Sequence, residues 1–229
     1  MAVPPALDLL LPILRCPVCG EELARVDTAL RCPAGHSFDI ARQGYAALLP
    51  GRGATSADDA PMARARDRFL AAGGYAPIRA AIVDLATRPS APPATVLEVG
   101  CGTGYHLAGA LDALPDARGL GLDSSARALR MAAKAHPRAA AATADVFRPF
   151  PLASGSVDLV LDVFAPRNPA EFHRGLRPEG RLIVARPDGE HLTELRRAVG
   201  DAVGIDPIKE ERLHRALDPY FEVVDTERV

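Results

Sequence analysis

The sequence predicts an α/β fold, in which helices flank a parallel sheet, preceded by a small metal-binding module. Strand-like and helix-like segments alternate through residues 95–229, as in open α/β sheets. Three of the four cysteines lie with a histidine in residues 1–50. The chain has 229 residues, 48% of them hydrophobic, which is enough for one full domain and a small module. We therefore expect a zinc-ribbon-like module at 1–50, a loop and helical connector at 51–94, and the main domain at 95–229.

The connector begins with a stretch rich in Gly, Ser and Asp at 51–59, which predicts a mobile loop. Apolar spacing then predicts helical structure up to a proline-rich linker at 88–93. Beyond it, β-branched and leucine-rich runs alternate with helical periodicity. The predicted strands are 95–99, 117–123, 139–145, 157–163, 180–186 and 221–229, and the predicted helices are 104–114, 124–136, 168–177, 189–203 and 207–217.

Composition limits the classes of partner and compartment. The formal net charge is −2, so nucleic acid binding requires a local basic patch. Of the 27 basic residues only Lys134 and Lys209 are lysine; arginine suits RNA, although GC-rich coding explains the same bias. The apolar N-terminus is a poor signal peptide, because prolines and Asp8 interrupt it, and no run reaches the 18 apolar residues of a membrane helix. We expect a cytoplasmic protein with reduced cysteines and no membrane partner.

The N-terminal module carries two paired knuckles, C-x2-C and C-x3-H, separated by twelve residues. This spacing suits a closed tetrahedral Zn²⁺ site with a structural role. Gly20 and Gly35 allow the positive backbone angles that such turns need. The alternatives are four incidental residues, or a redox pair, which lacks the expected preceding strand. The predicted ligands are Cys16, Cys19, Cys32 and His36.

A glycine loop follows the first predicted strand of the main domain, with glycines at Gly100, Gly102 and Gly104. Glycine there lets the backbone approach a ligand at the carboxyl end of the strand. The pattern is G-x-G-x-G, which departs from the dinucleotide fingerprint G-x-G-x-x-G. Glu98 precedes the loop, where an acid can bind the amino group of a methionine moiety directly or through water.

Two more acids end the next strands, Asp123 about 20 residues after the loop and Asp145 after the third strand. An acid at the first position can bind both ribose hydroxyls, and one at the second can meet an adenine amino group. The alternative is that both are helix caps, although Ser124 is also placed to cap the helix after Asp123.

The order of several motifs resembles one known family, the 23S ribosomal RNA (guanine-N1-)-methyltransferases. These motifs are the Cys16…His36 knuckles, Phe38–Leu49, Met62–Tyr75 and Leu97–Tyr105. Val163–Asn168 most resembles the Gram-positive branch, which includes macrolide (tylosin-type) resistance enzymes. The resemblance covers essentially the whole chain.

The resemblance implies a Rossmann-like S-adenosylmethionine-dependent domain, a zinc domain that recognises 23S rRNA, and a homodimer. Its target is a guanine in a hairpin loop near the macrolide-binding tunnel. It also implies a seventh, antiparallel strand between the fifth and sixth, whereas this chain reaches only the sixth predicted strand, at 221–229.

Methyl transfer to guanine N1 requires alignment, exclusion of water and removal of the N1 proton. The segment after the fourth strand faces the methyl group in this fold and supplies the catalytic candidates Asp162, Phe164, Pro166 and Arg167. Phe164 is a candidate for stacking on the base and Pro166 for shaping the loop. Asp162 is a candidate base or else a partly exposed strand acid, and Arg167 a phosphate ligand or a group that lowers the pKa of N1.

Other residues near the cofactor have two interpretations. Tyr105 and His106 open the helix after the glycine loop, where they contact cofactor or pack in the core. The helix bearing Arg64, Arg66 and Arg68 covers the cofactor and presents arginines to RNA, or is a solvated face. Two rival functions remain open: a small-molecule methyltransferase, and a non-catalytic RNA-binding module that retains the fold.

Overall fold

A computed structural model describes residues 5–49, 59–188, 190, 193–194, 198 and 215–229. Its helices are α1 (Pro5–Leu10), α2 (Ala60–Ala71), α3 (Ala76–Thr87), α4 (Tyr105–Ala113), α5 (Ala126–Ala135) and α6 (Pro169–Gly175), with a 3₁₀ turn at Leu11–Ile13. Its strands are β1 (Ala24–Val26), β2 (Ala29–Arg31), β3 (Ser37–Asp39), β4 (Thr95–Val99), β5 (Arg118–Asp123), β6 (Ala139–Thr143), β7 (Val157–Val163) and β8 (Leu176–Ala185).

The main domain is built on a five-stranded parallel sheet in the order β6-β5-β4-β7-β8. The central strand β4 is buried along its whole length, including its two polar residues, Thr95 and Glu98. The α/β prediction is confirmed, and the predicted strands 95–99 and 157–163 match β4 and β7 in full. The chain reverses its direction of winding at β4, where α/β sheets open a crevice for ligands.

The predicted sixth strand at 221–229 is wrong, because these residues form no strand in the structure. Side-chain contacts hold the segment against neighbouring helices instead. Arg88 at the end of α3 binds the carboxylates of Asp225 and Glu227. Phe221 packs on the core, whereas Val224 is 81% exposed. The apolar pattern of this segment therefore did not predict its structure correctly, because ion pairs with Arg88 hold it beside α3 and outside the sheet.

Two sequence-predicted helices lie largely outside the described residues, those at 189–203 and 207–217, as does the loop 51–58. Of the second helix, residues 215–217 are helical. Among the described residues no single helix is long and apolar enough to cross a membrane, and only α2 with α3, bent by 75°, passes that test as a pair.

The N-terminal module shares one hydrophobic core with the sheet. Leu7, Leu10 and Leu30 of the module pack in the same cluster as Leu97 and Leu120 of the sheet, and all five are fully buried. Helix α1 lies against β5 and β6. The module thus obtains apolar burial from the main domain, in addition to the stability that a bound structural metal supplies.

The module also covers an edge of the parallel sheet. Ala46 donates its N–H to Ala141 and accepts from the N–H of Thr143, both at 2.9 Å, which pairs this residue alongside β6. The N–H of Leu49 donates to the hydroxyl of Thr143 at 2.8 Å. Backbone groups at this stretch of β6 are therefore satisfied by the module, and an open strand edge is avoided.

Candidate active site and metal centre

A cleft of about 510 Å³ opens at the carboxyl ends of the central strands. This volume lies in the range of about 300–1,000 Å³ that small-molecule sites occupy. The loops after four successive strands and the helices α2 and α5 contribute to it. The lining includes Arg66, Gly100, Gly102, Asp123, Ser124, Asp145, Val146, Phe147, Phe164 and Pro166. Six of the predicted site residues therefore meet in one cleft: Gly100, Gly102, Asp123, Asp145, Phe164 and Pro166.

The glycine loop adopts a conformation that side chains disfavour, because Gly100, Gly102 and Gly104 have φ of +68°, +53° and +80°. A Cβ on Gly100 would lie 2.5 Å from the Cβ of Ala165 in the loop after β7. A Cβ on Gly104 would lie 3.1 Å from α5. Gly102 faces the cleft and Arg66 instead. Positive φ therefore favours glycine at all three positions, and the close approach of the loop after β7 and of α5 favours it further at Gly100 and Gly104.

Glu98 lies under the glycine loop and is 1% exposed. Its Oε2 accepts the N–H of Leu107 at 3.0 Å, which satisfies a free donor in the first turn of α4. Burial, together with repulsion from Asp123 and Asp162, raises the pKa of Glu98 to about 8 despite that hydrogen bond. Glu98 therefore supports the loop and the start of α4, and it does not line the cleft.

The two strand-end acids follow the adjacent strands β5 and β6, and both line the cleft. Asp123 accepts the N–H of Gly102 at 2.8 Å and that of Ser125 at 2.7 Å. Ser125 is the N-cap of α5, where Ser124 had been the sequence candidate. Asp145 accepts the N–H of Phe147 at 3.0 Å. Both acids thus shape turns while their positions border the cleft, so turn formation and ligand contact are compatible.

Tyr105 and His106 lie away from the cleft. Tyr105 stacks under the guanidinium of Arg79, 4.5 Å from the ring centroid, in a surface groove between α3 and α4. His106 is buried, and burial with the nearby Arg79 lowers its pKa to about 4. Of the two interpretations, the structure favours packing over cofactor contact for both residues.

Aromatic rings meet at one wall of the cleft. Phe164 is 36% exposed, and its φ is +54°. A positive φ is strained for a bulky residue, and backbone strain of this kind is common at functional sites. Its ring centroid lies 5.3 Å from that of Tyr75, which in turn lies 5.2 Å from Phe69. Phe164 is therefore held in place by α2–α3 while part of its surface faces solvent.

Buried Asp162 and partly exposed Arg167 form an ion pair outside the cleft lining, with Arg167 Nε 3.3 Å from Asp162 Oδ1. Asp162 is fully buried, and neither its carboxylate oxygens nor that Nε makes a hydrogen bond in the structure. Burial raises the pKa of Asp162 to about 7, an effect that Arg167 partly opposes. The idea of a partly exposed strand acid is therefore wrong, because the whole side chain is enclosed.

The four predicted metal ligands converge at one point in the N-terminal module. Their ligand atoms all lie within 4.8 Å of one another. The Sγ atoms of Cys19 and Cys32 are 3.7 Å apart, and His36 Nδ1 lies 3.6 Å from Cys16 Sγ and 3.3 Å from Cys32 Sγ. A tetrahedral zinc with Zn–S of about 2.3 Å and Zn–N of about 2.0 Å has edges of about 3.5–3.8 Å. The donor set therefore fits Zn²⁺.

Both knuckles depend on the glycines that the sequence singled out. Gly20 and Gly35 have φ of +77° and +85°, as predicted. Each donates its N–H back to the first cysteine of its knuckle, to Cys16 at 2.8 Å and to Cys32 at 3.0 Å. These turns bring each pair of ligand side chains to the same side of the chain.

Sequence reasoning missed the most exposed aromatic residue of the cleft and placed one arginine of the cleft only on a helix. Phe147 lines the cleft and is 73% exposed, and its only signal was an aromatic residue two positions after Asp145. Arg66 was expected on a helix near the cofactor, and the structure places it beside Gly102. Asn168 caps α6 and donates its side-chain N–H to the carbonyl of Val146 at 2.9 Å, which joins the loops after β6 and β7.

Comparison with known proteins agrees with this geometry. A family model described as "Methyltransferase domain" matches residues 96–180, and one described as "RlmA, N-terminal" matches residues 14–56. A solved structure of an S-adenosyl-L-methionine-dependent methyltransferase, provisionally so assigned, from Methanococcus maripaludis is 20% identical with a TM-score of 0.57. It covers 74% of this chain and is covered to 88%. The fold and cleft thus define an S-adenosylmethionine-dependent methyltransferase with a zinc ribbon.

Two curated relatives narrow this class. The chain is 50% identical over 231 residues to a provisionally named 23S rRNA (guanine-N(1)-)-methyltransferase of Micromonospora griseorubida, spanning 93% of this chain and 78% of that protein. It is 46% identical over 218 residues to the 23S rRNA (guanine(748)-N(1))-methyltransferase of Streptomyces fradiae, spanning 94% and 78%. The chain therefore belongs to the 23S rRNA (guanine-N1-)-methyltransferase family.

Proposed function

We propose that this protein transfers the methyl group of S-adenosylmethionine to N1 of a guanine in a hairpin loop of 23S rRNA. One observation carries the proposal: the glycine loop and the strand-end acids share a single cleft with a half-exposed phenylalanine, Phe164, from the loop after β7. A donor site and a platform for a planar acceptor are thus adjacent. The names of the two curated relatives support the same acceptor.

The residues of the cleft fit the donor by their chemistry. Gly100 and Gly102 offer bare backbone, Asp123 offers a carboxylate for ribose hydroxyls, and Asp145 one for the adenine amino group. S-adenosylmethionine supplies a methyl group on a positively charged sulfur that leaves readily. The task of the protein is therefore to align the acceptor nitrogen and exclude water.

On the acceptor side, Phe164 and Pro166 line the wall where the target base would stack. Asp162 has a pKa near 7, so it can hold or release a proton at physiological pH. Its carboxylate is fully buried beside Arg167, so Asp162 has two candidate roles, proton acceptor or positioning residue for Arg167. The pH profile of methylation distinguishes the two. As proton acceptor, Asp162 would control the pH profile of methylation; as a positioning residue, it would hold Arg167 and leave that profile unchanged on replacement.

The test is transfer of labelled methyl groups to an unmodified hairpin transcript of 23S rRNA, with a panel of small acceptors beside it. We expect label in the RNA only, and Asp123→Ala should weaken donor binding and transfer together. Asp116→Ala is the matched control, because Asp116 is an exposed carboxylate next to Ala117 at the opposite end of β5. Label in small acceptors would favour a small-molecule methyltransferase. Donor binding without any transfer would favour a non-catalytic RNA-binding module.

Mass mapping of 23S rRNA from cells with and without the gene identifies the nucleotide, beginning with position 748 named for the Streptomyces fradiae relative. Sensitivity to macrolides in the same pair of strains tests a role in resistance. The proposal also includes a cytoplasmic location, where ribosomes assemble, and a homodimer. Light scattering of the purified protein measures the oligomeric state directly.

A further inference from the structure

One face of helix α5 is uniformly basic. Arg127, Arg130 and Lys134 are exposed and spaced three and four residues apart, so they lie on the same side of the helix. The opposite face is buried, with Leu129 and Ala132 packed in the core. No acidic residue occurs between Ser124 and Arg138 in the sequence. At 1.5 Å per residue the three cations span about 10 Å.

Helix α2 extends this face toward the cleft. It packs against α5 and exposes Arg64 and Arg68, while Ala63 and Leu70 are buried. Arg66 of the same helix lines the cleft beside Gly102. We call the exposed surface of α2 and α5 with these cations the α2–α5 face.

The cations of the α2–α5 face differ in their partners from nine arginines elsewhere in the described residues. In the part of the chain that the structure describes, Arg64, Arg68, Arg127, Arg130 and Lys134 form no ion pair with a carboxylate. Arginines elsewhere do so, among them Arg15, Arg25, Arg79, Arg88, Arg174 and Arg177. Asp67 is the one acidic residue of α2 and is exposed between Arg64 and Arg68, so the five cations outnumber the carboxylates of these two helices. A local excess of positive charge produces a field that attracts an anion from outside the chain.

The zinc module lacks such a surface. Residues 5–49 contain four arginines and five carboxylates, before the thiolates that a zinc site adds. Arg15 and Arg25 are paired with Glu22 and Asp8. Arg31 and Arg42 are exposed and form no ion pair among the described residues, but only Arg42 lies near α5: its neighbour Ala41 packs against the cluster that includes Leu129. The module therefore adds one cation to the border of the α2–α5 face.

We infer that the α2–α5 face binds the phosphate backbone of the RNA hairpin, so that the methyltransferase domain rather than the zinc module supplies most of the electrostatic affinity. This inference rests on the proposed function for the identity of the RNA. Arginine and lysine contacts to phosphate position a nucleic acid without reading its sequence. A stem bound along α5 places its loop toward the cleft, because Ser124 and Ala128 at the start of α5 line the cleft.

The test measures hairpin affinity against salt for three proteins: the parent, an α5 triple variant and a scattered triple variant. The α5 triple is Arg127→Gln, Arg130→Gln and Lys134→Gln. The scattered triple removes the same charge at Arg31, Arg118 and Arg181, of which Arg31 lies on the zinc module and Arg181 on β8 at the far edge of the sheet. Melting temperature and donor affinity check that each protein is folded.

We expect the α5 triple to lower the slope of log affinity against log salt by about 2, since each phosphate contact contributes about 0.7–0.9. If the two proteins bind equally at about 1 M salt, a slope difference of about 2 makes the α5 triple bind about 100-fold more weakly than the parent at about 0.1 M salt. The single variant Lys134→Gln should lower the slope by about 0.7–0.9. The scattered triple should keep the parent slope, and donor affinity should be the same in all.

The possible outcomes separate the two proposals. If the parent binds and methylates the hairpin but the α5 triple keeps its slope, the α2–α5 face is not the phosphate site and the proposed function stands. If the scattered triple loses as much affinity as the α5 triple, the effect is one of total charge and the assignment is overturned. If the parent binds the donor but neither binds nor methylates the hairpin, the proposed function fails and this inference fails with it.

Discussion

The close approach of Gly100 to Ala165 makes a quantitative prediction. An alanine at position 100 would place its Cβ 2.5 Å from the Cβ of Ala165, well inside contact distance, and would hold a φ of +68°. Ala165 belongs to the loop after β7, which also carries Phe164. Gly100→Ala therefore combines backbone strain with displacement of the loop that lines the acceptor side of the cleft.

The two costs are separable by a control glycine. Alanine in the left-handed region costs about 1–2 kcal/mol, and overpacking a closed contact costs about 1–3 kcal/mol more. Gly155 has a φ of +58°, but its nearest neighbour, the carbonyl of Leu176, would lie 4.0 Å from a new Cβ. Gly155→Ala thus incurs the first cost alone. The gain from a stiffer unfolded chain applies equally to both and cancels in their difference.

The assay is thermal unfolding together with calorimetric binding of S-adenosylmethionine. At about 2–4 °C per kcal/mol for a chain of this size, Gly100→Ala should lower Tm by about 4–20 °C and Gly155→Ala by about 2–8 °C. Donor affinity should fall only for Gly100→Ala, because only that change displaces the cleft. Equal Tm values for the two variants, or unchanged donor affinity in Gly100→Ala, would refute the reasoning.

Three further outcomes are expected. Burial raises the pKa of Asp162 from about 3.9 to about 7, so ionisation of this carboxyl lowers the stability of the folded protein as pH rises through that window. The Tm of Asp162→Asn relative to the parent should therefore increase between pH about 4 and about 8. A difference in Tm that stays constant with pH contradicts the burial argument. Phe164→Ala should lower kcat/KM for the hairpin by about 10–100-fold, from a stacking energy of about 1–3 kcal/mol, while Phe164→Tyr retains it and donor affinity stays unchanged; equal loss in both variants excludes stacking. Chelation of zinc, or His36→Ala, should lower Tm and remove donor binding in one transition, because the module and the sheet share a core; an intact donor site after metal removal contradicts this coupling.

The central strands and the paired knuckles were predictable because local signals decide them. The strands β4 and β7 are buried runs bounded by turn residues, and the metal ligands sit on turns whose glycines have the expected positive φ. The start of β8 was not predictable, because Arg-Pro-Glu-Gly180 reads as a turn. Leu176 nevertheless pairs with Val157 ahead of an irregularity in the ladder.

In the site, too, features set by local sequence were predictable and features set by distant contacts were not. Glycines and acids at strand ends are fixed by the topology of a parallel sheet, so Gly100, Asp123 and Asp145 were found from spacing alone. Phe147 and the burial of Asp162 depend on contacts between segments far apart in sequence. The α2–α5 face needed the packing of two helices separated by the whole first βαβ unit, which no local pattern reports.

The pairing of Ala46 with Ala141 and Thr143 bears on how such enzymes diversify. A zinc ribbon joined to its partner domain by a linker alone would share no core with it, so recombination between homologues would exchange it without loss of packing. Here a crossover near residue 50 would separate leucines that interlock across the junction, so a hybrid would inherit mismatched halves. New target specificities in this lineage are therefore expected to arise by point substitution at the surface, with both parts descending together.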